Sequence, residues 1–177
     1  MPVYSGSMCE QFGVDTLELD NRCEGDLYRI ISGSTTHRMG QADLSKAGYS
    51  MPDNIVFAGR LLGLNMRVEK DQRLLATALN CLYPQIEAEL KAMGCPVVHP
   101  LHPLRINEIR LEALAVSVIG VPVDLHWVVH RSDGSYMDPE TGRNYTNFAA
   151  LEGGVREKFS RVVGYYTSGI SIVATKD

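Results

Sequence analysis

The sequence has no long uninterrupted hydrophobic segment. Its longest apolar run, Leu114–Val123, is broken by a serine, a glycine and a proline, and it is shorter than the roughly 20 apolar residues that a membrane-spanning helix needs. The first residues, Met1–Ser7, show neither the basic region nor the apolar core of a secretory signal peptide. We therefore predict cytoplasmic synthesis and no membrane partner, with any export through a secretion system that needs no signal peptide.

Basic patches, phosphate-binding loops and complete metal motifs are also lacking. The net charge is −4 and no cluster of basic residues stands out, so we predict no nucleic-acid partner. No glycine-rich loop has the spacing that cradles a phosphate. Cys95, His99 and His102 have a C-x3-H-x2-H spacing, but they lack a fourth ligand and match no standard structural zinc site. We predict neither a cofactor nor a bound metal.

The four cysteines, at positions 9, 23, 81 and 95, include no CxxC pair. Without a secretory signal we expect reduced thiols. Their even number leaves disulfide pairing open.

The 177 residues are enough for one domain with a sizeable core, and we predict a single domain over residues 1–177 with an N-terminal arm at 1–22. Helical patterns dominate the first half and strand patterns the second, which predicts an α+β fold. The predicted helices cover residues 24–32, 41–46, 52–62 and 72–93, and Pro84 should kink the last of them or divide it in two. A short helix near Phe148 should end at Gly153-Gly154. The predicted strands cover residues 64–68, 95–98 and 111–121, followed by a hairpin around Asp133-Gly134 and a terminal hairpin made of 161–166 and 170–174.

The hairpin around Asp133-Gly134 carries chemistry at its ends. Strand-forming residues follow His126, the turn favours reversal, and Pro139 ends the return strand. Reversal brings Asp138 towards the level of His126, as a general base and its orienting carboxylate require. His130 shares the strand face of His126 and is the rival base.

Cys23 directly precedes the predicted helix 24–32. At a helix N-terminus the macrodipole and the free N–H groups favour a thiolate and an oxyanion, so Cys23 is the candidate nucleophile. Cys9 is the rival nucleophile, and Cys81 and Cys95 are expected in the core.

Cys23 before a helix, His126-Trp127-Val128-Val129 and Asp138-Pro139-Glu140-Thr141-Gly142 occur in the order found in papain-like cysteine hydrolases. The sequence most resembles their bacterial branch, the double-glycine-leader peptidase-like domains and the secreted effectors that act as proteases or glutamine deamidases. The resemblance implies a papain-like fold, with a helical N-terminal half packed on an antiparallel sheet from the C-terminal half. It also implies a Cys23–His126–Asp138 triad that cleaves an amide C–N bond through a thioester.

Two positions depart from the papain-like pattern. The family usually has a glutamine a few residues before the nucleophile, where this sequence has Leu17 and Glu18, and it has a small residue where this sequence has Glu24. The second oxyanion donor is therefore unassigned. A binding module without turnover and a cell-wall peptide amidase remain alternatives. The expected partners are a protein or peptide substrate and, for a bacterial toxin, an immunity protein or a host target.

Overall fold

A computed structural model of the protein describes residues 23–32, 50–71, 85–99 and 102–176. The described helices are α1 (Cys23–Ile31), α2 (Pro52–Leu61), α3 (Gln85–Ala92) and α4 (Phe148–Lys158). The described strands are β1 (Asn65–Lys70), β2 (Val97–Val98), β3 (Glu108–Val118), β4 (Val121–Arg131), β5 (Tyr136–Asp138), β6 (Arg143–Tyr145) and β7 (Val163–Thr175).

The seven strands form one sheet in the order β2-β1-β7-β3-β4-β5-β6. Only β1 and β2 pair in parallel, and the other neighbours are antiparallel. The α+β class is confirmed. The division between the halves of the chain is incomplete, because β1 comes from the first half and the helix α4 comes from the second.

The sheet is covered by helices on both faces. On one face, side chains of α1, α2 and α3 form a cluster with Trp127, Ile172 and others. On the other face, Leu151 and Val155 of α4 pack on Val128. Because successive strand residues point to opposite faces, Trp127 and Val128 mark two different surfaces. We call the first the three-helix face and the second the α4 face.

The hairpins that lead to the site follow from local sequence. Val121 opens β4 after a tight turn in which Ile119 and Gly120 have φ of 52° and 77°, values that suit hairpin turns. Gly134 has φ of 83° in the next turn, where the backbone N–H of Arg131 donates to Ser135 O at 2.9 Å. The predicted reversal after β4 is confirmed.

The prediction that Gly153-Gly154 ends a short helix is wrong. α4 runs through both glycines to Lys158. The helix is preceded by Asn147, whose side chain accepts a hydrogen bond from the backbone N–H of Ala150 at 2.9 Å and so caps the helix. A Cβ at position 154 would lie 2.5 Å from the ring of Tyr145. The glycine at position 154 therefore gives the Tyr145 ring room to pack.

The predicted terminal hairpin is also wrong. Residues 163–175 form one strand, β7. Ser171 pairs with Glu112 of β3, and Thr167 pairs with Leu114. β7 therefore advances four residues where β3 advances two, and the register shifts there. Gly169 has φ of 81°. Turn-forming residues between two β-rich runs are compatible with either a reversal or a bulge, and here they form a bulge.

The predicted helices at 24–32 and 52–62, the end of the long helix at 72–93, and the first three predicted strands are confirmed to within a few residues. The predicted helix at 41–46, the Pro84 kink and the arm at 1–22 lie outside the described residues. That residues 1–177 form a single domain stays a prediction.

Candidate active site

His126 and Asp138 are brought together by the β4–β5 hairpin. Met137 pairs with Val129, so continuing the register sets Asp138 opposite Val128 and diagonal to His126. Diagonal neighbours on one sheet face are within reach of long side chains. The imidazole Nε2 lies 2.7 Å from the Asp138 Oδ1. Because an ionised carboxylate can only accept, Nε2 carries the hydrogen, and the second ring nitrogen, Nδ1, is left as the acceptor.

Asp138 is held firmly by its own loop. Its side chain has no exposed surface, and Oδ1 also accepts the backbone N–H of Glu140 at 2.9 Å. The Asp138 carbonyl accepts the backbone N–H of Gly142 at 2.9 Å. Oδ2 is buried and has no hydrogen-bond partner among the described residues. A buried carboxylate oxygen left without a donor is costly, and such oxygens concentrate where function requires them.

The imidazole of His126 is partly open to solvent. Its side chain is 19% exposed, and Nδ1 has no hydrogen-bond partner in the described part of the chain. On its inner side the ring stacks on Tyr165, with centroids 5.6 Å apart and planes 28° apart. The arrangement offers a fixed proton acceptor at the surface, with an orienting carboxylate behind it.

His130, the rival base, has a different environment. Its Nδ1 lies 3.5 Å from Glu112 Oε2 but is without a hydrogen bond in the described structure. The His130 ring stacks almost parallel on Tyr136, at 4.3 Å and 9°. Burial, followed by the negative charge of Glu112, raises the pKa of Tyr136 to about 12. Of the two histidines, His126 alone has a hydrogen-bonded carboxylate within the described residues.

The backbone of Cys23 begins α1, as the sequence predicted, while its side chain lies outside what the structure describes. Leu27 and Ile30 of α1 belong to the same cluster as Trp127, so α1 packs on the three-helix face. His126 stacks on Tyr165 and therefore points to the α4 face. The structure brings His126 and Asp138 together, and it describes no contact between Cys23 and either of them.

Cys95 is a free, buried thiol, as expected for a core residue, and burial raises its pKa. His99 Nδ1 lies 2.6 Å from the Lys70 carbonyl, and His102 Nδ1 lies 3.8 Å from Glu69. No group of three or more His, Cys, Asp or Glu side chains in the described ranges is arranged to hold a metal ion. Cys9 and Cys81 lie outside those ranges.

Sequence reasoning missed Tyr165 as a neighbour of His126. The β-rich segment 161–166 predicts a strand that contains Tyr165, but the local sequence pattern does not predict that this strand pairs with β3. Burial, followed by the nearby charges of Asp138 and Glu140, raises the pKa of the Tyr165 hydroxyl well above its usual range. The phenol therefore stays neutral beside the His126–Asp138 pair.

A family model described as invasion plasmid antigen J, cysteine protease, matches residues 4–177. The chain is 49% identical to the cysteine protease IpaJ of Shigella flexneri over 177 residues, which is 100% of this chain and 68% of that protein. No solved structure matches, and none of the described helices has the length and apolar character to cross a membrane. The resemblance to papain-like cysteine proteases is confirmed. The chain belongs to the invasion plasmid antigen J family of cysteine proteases.

Proposed function

We propose that this protein is a bacterial effector protease that cleaves a host protein through Cys23, His126 and Asp138. The observation that carries the proposal is the 2.7 Å contact between His126 Nε2 and the buried Asp138 carboxylate. A cysteine protease needs an imidazole that first accepts the thiol proton and later protonates the leaving amine. Asp138 supports that role because it fixes the ring and stabilises the imidazolium.

The proposed reaction uses the free ring nitrogen of His126. Nδ1 takes the proton of the Cys23 thiol, and the thiolate attacks the carbonyl carbon of the scissile bond. The imidazolium gives its proton to the leaving amine as the C–N bond breaks and a thioester forms. Water, activated by the same imidazole, then hydrolyses the thioester and restores the thiol.

If Cys23 is the nucleophile, its side chain has to reach the imidazole of His126. The first backbone N–H groups of α1 and its dipole favour a thiolate and an oxyanion there. Since α1 packs on the three-helix face, its first residue would have to reach His126 around the outer edge of β4. Within the described strands that edge is free beside His126, because β5 pairs with β4 only at Val129 and His130.

The effector part of the proposal comes from the relatives. The matching family is named for invasion and the relative is a Shigella flexneri protein, so we favour a host protein over an immunity protein as partner. Export of the protein from the bacterium belongs to the same proposal. Both comparisons name a cysteine protease, which favours proteolysis over glutamine deamidation or cell-wall amide cleavage.

The test is alkylation of the native protein by iodoacetamide across pH, followed for each cysteine by mass spectrometry. We expect Cys23 to react fast well below the ordinary thiol pKa of about 8.5 and His126→Ala to abolish the fast reaction. His130→Ala is the matched control, since His130 lies on the same strand face and has no hydrogen-bonded carboxylate among the described residues. It should leave the rate unchanged.

Three results would overturn parts of the proposal. Fast labelling of Cys9 that depends on His126 would move the nucleophile and leave the base in place. Fast labelling of Cys23 that survives His126→Ala would remove His126 as the base. If no cysteine reacts faster than an ordinary thiol, the binding-module alternative replaces the triad.

A further inference from the structure

We propose that Tyr165 is a positioning residue that keeps the His126 imidazole aligned with Asp138. This inference rests on the proposed role of His126 as base and extends it to a residue on a distant strand. Tyr165 does not face the substrate, since it is 4% exposed. It would act through the ring that it touches.

The contact is made across a strand. β3 lies between β7 and β4, with Tyr165 paired to Val116 and His126 paired to Leu114. The two rings therefore lean towards each other above β3, and their centroids are 5.6 Å apart. Such aromatic pairs contribute about 0.5–1.5 kcal/mol beyond simple burial, enough to bias one ring orientation over another.

The Tyr165 ring is itself immobilised. It belongs to the cluster that α4 closes with Leu151 and Val155, both fully buried. The imidazole of His126, by contrast, has an open outer side. Its terminal torsion has a broad, roughly two-fold preference, and the hydrogen bond to Asp138 alone would leave the ring free to swing. Contact with a fixed aromatic surface blocks that swing on the inner side.

The ring face of Tyr165, and not its hydroxyl, accounts for this role. Burial raises the pKa of the phenol, as do the negative charges of Asp138 and Glu140 nearby. The side chain stays neutral and adds no second charge beside the Asp138 carboxylate. Phenylalanine should therefore replace it, whereas a side chain without a ring should not.

The variants that test this are Tyr165→Phe and Tyr165→Met. Methionine is a flexible apolar residue that fills core gaps without a ring, and Tyr165→Leu substitutes for it if that variant is unstable. Tyr166→Met is the matched control, because Tyr166 is the next residue of β7 and points to the opposite face. Its hydroxyl donates to Gly120 O at 2.7 Å, away from His126.

Two readouts are needed. Nitrogen-15 NMR of the histidine rings should show His126 as the Nε2–H tautomer in the wild type, Tyr165→Phe and Tyr166→Met, and as a mixture in Tyr165→Met. The rate of His126-dependent thiol alkylation should fall about 10-fold in Tyr165→Met and change less than about twofold in Tyr165→Phe. A misplacement of about 1 Å can cost up to about 100-fold in rate, and the mixed ring orientations expected in Tyr165→Met misplace the base only part of the time.

The inference is overturned if Tyr165→Met keeps a single tautomer, even when urea unfolding shows it to be less stable. That outcome would leave Tyr165 a purely structural residue. It is also overturned if Tyr165→Phe is as impaired as Tyr165→Met, because the hydroxyl would then be the active group. The NMR readout needs no nucleophile, so failure of Cys23 in the alkylation experiment does not affect it.

Discussion

Asp138 depends entirely on protein donors, since none of its side chain reaches solvent. His126 supplies one donor and the backbone N–H of Glu140 another. Removing the imidazole would leave a buried carboxylate with one donor fewer, which is costly for folding as well as for catalysis. Loss of activity in His126→Ala should therefore always be compared with the free energy of unfolding of the same variant.

A second buried carboxylate, Glu108, gives a pH-dependent prediction. Arg67 donates two hydrogen bonds to it, at 2.6 and 3.2 Å, and this pairing lowers the pKa of Glu108 from 4.5 to about 2. The unfolded chain binds the proton first as the pH falls, so the stability that the ionised carboxylate contributes is present above pH 4.5 and is lost towards pH 2.

We expect Glu108→Gln to lower the free energy of unfolding at pH 6. The difference in free energy of unfolding between the variant and the wild type should become smaller as the pH approaches 2. Urea titrations across that range measure it. Glu152→Gln, at an exposed ion pair with Arg156, controls for the substitution itself. If the difference in free energy of unfolding between Glu108→Gln and the wild type stayed constant with pH, Arg67 would not be holding Glu108 in its ionised form.

Among the elements, α4 offers a matched pair of glycines. A Cβ at Gly153 would meet nothing within 4 Å, whereas one at Gly154 would lie 2.5 Å from the Tyr145 ring. We expect Gly153→Ala to raise the free energy of unfolding by about 0.5–1 kcal/mol, the helix preference of alanine over glycine. Gly154→Ala should lower it, because the Tyr145 ring must move and lose its hydrogen bond to Thr141.

Chemical denaturation of the two alanine variants is the measurement. An equal increase in the free energy of unfolding of both variants would show that the Tyr145 ring repacks freely and that position 154 does not require a glycine.

The same glycines show where local sequence is informative and where it is not. α2 could be predicted because Pro52 begins it and Gly63, at φ 76°, follows its end. Gly154 and Gly169 carry the same signal, but the neighbours that decide their roles, Tyr145 and Asp71, belong to other parts of the fold. A glycine that makes room for a side chain cannot be distinguished, from sequence alone, from one that ends an element.

In the whole molecule, the order of strands decides what the sequence could predict about the site. His126 and Asp138 belong to one hairpin, so the turn between them was enough to predict that they approach each other. Tyr165 reaches His126 only because β7 inserts beside β3, a long-range pairing without a local signal. Whether Cys23 lies near His126 depends on which face of the sheet α1 covers, and the sequence pattern does not predict that face.

The most direct test of the account is whether peptide bonds are cut in a way that depends on His126. Extracts of eukaryotic cells would be incubated with the wild type, His126→Ala, Asp138→Asn or His130→Ala, and newly formed protein N-termini would be enriched and identified by mass spectrometry. The account predicts a defined set of new N-termini with the wild type and His130→Ala, fewer with Asp138→Asn and none with His126→Ala. The same set in the His126→Ala sample would contradict the assignment of His126 as the catalytic base.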